Sequence, residues 1–146
     1  MNAINLYRVE RWFYLHHMTI LAKFIRGLIF FIYNSFIPYT CKIGKGTKFA
    51  YKGMGVVIHS NAEIGENCLI AQQVTVGGRS KQKNVPRIGN NVYIGAGAKV
   101  LGDIVIGDNV VIGANAVVIK SVDSSCAVAG VPAKVIKTGI KMEDLV

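Results

Sequence analysis

The sequence predicts a parallel β-helix preceded by an α-helical segment. Three observations carry this. Aliphatic residues recur with a period of six, glycine usually follows them, and nearly all aromatic residues lie in the first third of the chain.

Ile58, Ile64, Ile70 and Val76, then Ile88, Ile94, Val100, Ile106, Ile112 and Val118, are spaced by six residues, apart from one step of twelve between Val76 and Ile88. Ile43 opens a similar unit, IGKGTK. All eleven positions are Ile or Val, and seven are followed by glycine (44, 65, 77, 89, 95, 107 and 113). The fourth residue after the aliphatic is often small or β-branched, as at Ala62, Cys68, Val74, Val92, Ala98, Val110 and Ala116. A helix would need a spacing near 3.6 and a two-sided sheet strict alternation. A period of six is the mark of a parallel β-helix, in which three strand-turn units close one triangular coil and the aliphatic side chains stack inward. Glycine relieves the turn. Burying such side chains at ~1.5–3 kcal/mol each makes a core adequate for the chain's length.

The twelve-residue step contains GGRSKQKNVPR, residues 77–87. It is polar and basic, and the period resumes in phase beyond it. It reads as an excursion loop pushed out of one coil, the kind of loop on a rigid scaffold that often carries function.

Twelve of the thirteen aromatic residues precede residue 52, and residues 1–52 hold eight Lys/Arg against one acid, Glu10. Residues 5–37 read as one helix or two. The uncharged run 27–37 is only eleven residues long, well short of the ~20 that a bilayer core requires. Trp12, Tyr14, Tyr33 and the basic residues suit the interface of an anionic leaflet. They suit equally a cap over the open end of a solenoid, which such folds need.

The chain has 146 residues, a net charge of +9 and 51% apolar residues, so one ordered domain with an anionic partner is expected. Nucleic acid is not that partner, because the aromatics sit in an apolar segment rather than along a basic groove. Three cysteines without a Cys-x-x-Cys spacing point to a reducing compartment, with neither disulfides nor a zinc site. The first apolar stretch lacks a small-residue cleavage site, so no cleavable leader is expected.

One residue breaks the repeat. In GVVIHSNAEIG, residues 55–65, His59 stands where most units place glycine. It is the only histidine of the repeat region; His16 and His17 lie in the N-terminal segment.

VTVGG followed by a basic loop, then IGNNVYIGAGAKVLGDIVIGDNVVIGANAVV and AGVPAKVI, resembles the hexapeptide-repeat acyltransferases, in the branch of serine acetyltransferases and polysaccharide O-acetyltransferases. The resemblance covers about residues 43–137. It implies a left-handed coil, a homotrimer with its sites between subunits, and acetyl-CoA as donor without a metal. It also implies that the amides of Ala96 and Ala114 hold the pantetheine arm, that the Gly78 amide faces the thioester oxygen, and that Lys120 and Lys134 lie near the phosphates. Acetyl transfer to a hydroxyl needs a base near neutral pH, and His59 is the expected one, with Glu63 the nearest acid to orient it. The earlier and loop histidines of authentic serine acetyltransferases fall here near Lys52 and Val85. Tyr51, Lys52 and Asn84 are expected at the acceptor pocket. The γ-type carbonic anhydrases share the coil, but their metal takes three histidines from the repeats.

The expected organisation is therefore a helical segment at 1–40, a left-handed β-helix at 41–137 with the loop 77–87, and a tail at 138–146. The expected function is transfer of acetyl from acetyl-CoA to a sugar hydroxyl in cell-surface polysaccharide synthesis, in the cytoplasm or at the inner membrane face. The alternatives are serine O-acetylation and a non-enzymatic, membrane-associated structural solenoid.

Overall fold

The computed structural model describes residues 1–141, so the end of the expected tail, 142–146, lies outside the described residues. Two helices open the chain, α1 (Ala3–Leu15) and α2 (Thr19–Tyr33). The Asn2 side chain accepts the Ile4 amide at 3.2 Å and starts α1 as an N-cap. Asn34, left-handed at φ 52°, stops α2.

Four coils follow. The first holds β1 (Lys42–Ile43), β2 (Lys48–Phe49) and β3 (Val57–Ile58), and the second β4 (Glu63–Ile64), β5 (Leu69–Ile70) and β6 (Thr75–Gly77). The third holds β7 (Arg87–Ile88), β8 (Tyr93–Ile94) and β9 (Lys99–Leu101), and the fourth β10 (Val105–Ile106), β11 (Val111–Ile112) and β12 (Val117–Val118). They stack as three parallel sheets, β1-β4-β7-β10, β2-β5-β8-β11 and β3-β6-β9-β12. Then β13 (Cys126–Ala129) extends the second sheet, and β14 (Lys134–Thr138) folds back on it antiparallel.

The predicted ladder is the core: Ile58, Ile70, Val76, Ile94, Val100, Ile106 and Ile112 are fully buried. The structure adds Phe49, which pairs with Ile70 and occupies an inward position. Phe49 lies six residues after Ile43, and the turn Ala50–Gly53, with Tyr51 and Lys52 both at positive φ, inserts three extra residues before Ile58 and breaks the phase there.

The helices close the open end of the first coil. The Tyr7 hydroxyl donates to the Cys41 carbonyl at 2.7 Å, and Arg11 donates to the carbonyls of Tyr39 (2.8 Å) and Cys41 (3.0 Å). Arg8 forks onto the carbonyls of Ile43 and Gly44. Burial pushes the Cys41 thiol up to about 12 and raises Cys68 as well; all three cysteines are free and buried. Residue 36 runs beside Val57 as a parallel bridge, extending the third sheet by one layer. Among the described residues no helix is long and apolar enough to cross a membrane.

Candidate active site

Ladder register stacks the ends of the third sheet's strands at one corner. Ile58 pairs with Val76, Val76 with Val100 and Gly77 with Leu101, while Val118 pairs with Val100. Position 59 therefore lies beneath 77, 101 and 119. At ~4.8 Å per coil, His59 and Lys120 are about 14 Å apart along this edge, with Gly78 between them.

His59 is exposed, and its backbone N–H is tied to Val76 O at 2.8 Å. Its side chain turns back on its own turn: Nδ1 lies 3.1 Å from the Asn61 amide nitrogen. A backbone amide can only donate, so Nδ1 is the acceptor and the neutral ring carries its proton on Nε2. Glu63, expected to orient the ring, is instead paired with Lys42 at 2.6 Å, and that contact holds its carboxyl below the usual range.

A cleft of about 500 Å³ opens beside the ring, lined by His59, Ser60, Thr75 and Gly77 from the coils and by Arg26, Phe36 and Tyr39 from the helical segment. Sequence reasoning missed these last three. The signal available was a lone run, SFIPY, after the second helix; the packing of α2 that brings Arg26 to it is long-range.

Ala96 and Ala114 mark a different corner. They lie in the turns that lead into β9 and β12, and the Asn115 amide donates to Ala96 O at 2.8 Å, stacking one turn on the other. Lys134 pairs with Ala129, which packs over Gly113, so it rises above Ala114. The donor-side residues thus occupy two edges of one sheet: His59, Gly78 and Lys120 on one, Ala96, Ala114 and Lys134 on the other. Among the described residues, the amides of Gly78, Ala96 and Ala114 donate to no group.

The expected acceptor residues are not brought to the cleft. Tyr51 and Lys52 sit exposed on the inserted turn, held away by the three residues that the period did not reveal. Asn84 is held by the loop's own packing, donating to Asp103 Oδ2 at 2.9 Å and lining a separate, smaller hollow with Asn61, Glu63 and Arg87.

Residues 86–120 match the family described as bacterial transferase hexapeptide (six repeats). A serine acetyltransferase of Synechococcus elongatus is 42% identical over 146 residues, 98% of this chain and 59% of that protein. One of Staphylococcus aureus strain Mu50 is 42% identical over 137 residues, 92% and 61% of the two chains. The crystal structure of serine acetyltransferase from Brucella abortus strain S19 superposes with a TM-score of 0.88 at 35% identity, covering 95% of this chain and 57% of that one. Over nearly its whole length the chain is similar to the serine acetyltransferases of the hexapeptide-repeat transferase family. Its coil is the left-handed β-helix of that family, and it spans less than two thirds of the length of these relatives.

The same Brucella enzyme has been solved in complex with coenzyme A, at a TM-score of 0.88 and 34% identity over 95% of this chain and 56% of that one. The residues of this chain fit such a donor. Three small residues present unused amides, a Cβ added at Gly78 would meet only Val85, at 3.8 Å, and Lys120 and Lys134 are exposed cations.

Proposed function

We propose that this chain transfers acetyl from acetyl-CoA to a hydroxyl, with serine as the acceptor. The observation that carries the reading is the meeting of His59 and Gly77 in one cleft at the mouth of the excursion loop. The relatives described above are serine acetyltransferases, and they back serine better than the sugar hydroxyl of a surface polysaccharide. Contact of residues 5–37 with an anionic leaflet gains no support from these relatives.

The family's two other imidazoles are replaced by Lys52, exposed on its turn, and Val85, which is buried, so His59 is the imidazole available. The thioester supplies an activated acyl group on a good leaving group. His59 takes the hydroxyl proton at Nε2 as the new O–C bond forms, and returns it to the departing sulfur as the C–S bond breaks. For this the ring holds its other proton on Nδ1 and gives up the Asn61 contact, which costs about 1 kcal/mol. The Gly78 amide, free of other partners, donates to the oxyanion.

The two edges bearing these residues are separated by the width of one sheet, roughly 15 Å. A three-fold assembly would set the His59 edge of one protomer against the Ala96–Ala114 edge of its partner and complete the site.

The test is to incubate the whole chain with acetyl-CoA and serine, or with a panel of sugars, and to measure free thiol; the buried cysteines add little background. Serine-dependent release that disappears in His59→Ala supports the reading. Release with sugars alone returns it to the polysaccharide alternative.

A further inference from the structure

We propose that Arg26 anchors the carboxylate of the acceptor in the cleft beside His59. The inference rests on the acetyl-transfer reading above and names the acceptor class: a hydroxyl compound bearing a carboxylate near the hydroxyl, recognised by that carboxylate and not by an amine.

The guanidinium of Arg26 lies over two rings, with Cζ 5.4 Å from the Tyr39 centroid and 5.6 Å from that of Phe36. The rings engage its faces and leave the in-plane N–H donors as its polar edge. Among the described residues those donors make no hydrogen bond and no ion pair. The other two helix arginines behave differently: Arg8 and Arg11 spend theirs on backbone carbonyls of the first coil. Arg26 is not a clip of that kind.

The one acid of the helical segment does not satisfy it. Glu10 is fully buried, and neither of its carboxyl oxygens has a hydrogen-bond partner. Burial raises its carboxyl to about 8 against the opposing pull of Arg26, so at neutral pH it is mostly protonated and leaves the guanidinium charge uncompensated. A half-buried guanidinium without a partner has lost hydration that a carboxylate can replace in fork geometry.

Arg26 shares its cleft with His59, Ser60 and Gly77, so an acceptor held at one end by its carboxylate places its hydroxyl at the other. The lining holds no Asp or Glu, so an ammonium finds no counter-ion there. It also holds no second Lys or Arg, which matches a singly charged carboxylate better than a phosphate.

The test uses the full chain with L-serine, L-serinamide, which lacks the carboxylate, and L-glycerate, which has the same configuration with a hydroxyl in place of the amine. Binding is read by calorimetry and transfer by thiol release. Serine and glycerate should both bind, with serinamide about 10- to 100-fold weaker. Arg26→Met should raise the KM for serine by a similar factor and abolish the preference for serine over serinamide, while CoA affinity is unchanged. Arg26→Lys should recover part of the loss, because a point charge remains without the fork. Serinamide equal to serine on the unaltered chain, or an unchanged KM in Arg26→Met, overturns the proposal. If Arg26→Met does not fold, Arg26→Lys and the ligand series still decide. Thiol release with serine and serinamide alike leaves the transfer reading standing and removes the anchor. Arg26-dependent carboxylate binding without any release does the reverse.

Discussion

The imidazole of His59 accepts the amide of Asn61 through Nδ1 at 3.1 Å, so the neutral ring shows Nε2–H to the cleft. The ring is exposed, and among the described residues its one hydrogen bond is to the Asn61 amide of its own turn. Replacing it with alanine should therefore leave thermal stability nearly unchanged while lowering kcat by about 10²- to 10⁴-fold, the span expected for losing a general base. Steady-state kinetics beside a thermal melt checks this. A variant with near-normal kcat would show that another group, or water, takes the proton.

The ladder was legible because it is one-dimensional: Ile70, Ile94 and Ile112 repeat in sequence as they stack in space. Phe49 escaped because it is not aliphatic and because the inserted turn, which sets it nine residues before Ile58, breaks the phase between residues 43–49 and the rest of the ladder. The corners were legible too, since a strand's register fixes what lies above and below it, and this is why His59 and Gly78 fall on one edge. The outer wall of the cleft was not. Arg26, Phe36 and Tyr39 reach it through the packing of the helical segment, which no local period encodes, and Asn84 lines a separate hollow because it donates to Asp103, a coil away.

The excursion loop is pinned at Gly102. This residue has φ +98°, and a Cβ there would run into Gln82 Oε1, the same oxygen that accepts the Asp103 amide at 2.8 Å. Gly102→Ala should cost about 1–3 kcal/mol from backbone strain and the displaced side chain together. It should also open residues 78–86 to proteolysis. Gln82→Ala should expose the loop with a smaller loss, about 1 kcal/mol. Limited proteolysis with urea unfolding separates the two effects, and a Gly102→Ala loop that resists cleavage would contradict this account.

Glu10 should make the fold sensitive to alkali. Its carboxyl is raised from 4.5 to about 8 by burial, so the native state favours the protonated form. Below about pH 4.5 both folded and unfolded chains hold the proton, and this contribution to stability is complete. As pH rises the unfolded chain ionises first, and stability declines until the folded carboxyl also ionises near pH 8. Glu10→Gln removes this term and should be more stable than the parent by roughly 1–3 kcal/mol at pH 7, with no advantage at pH 4. Urea midpoints across this range test it, and parallel curves for the two proteins would show that the carboxyl is not the source.

Ala114 separates donor binding from folding. It is exposed, it sits in the turn stacked directly on that of Ala96, and its amide is unused among the described residues. A leucine there projects outward and meets no core, so stability should change by less than about 0.5 kcal/mol. If the pantetheine arm runs along this corner, the added carbons occupy its path. Ala114→Leu should then raise the KM for acetyl-CoA by about tenfold or more, with a smaller effect on the acceptor KM, because Arg26, the proposed acceptor anchor, belongs to the facing protomer's cleft. Initial rates with each substrate varied in turn distinguish these outcomes. An unchanged acetyl-CoA KM would mean the donor passes elsewhere, and the two-edge arrangement would lose its reason to assemble across protomers.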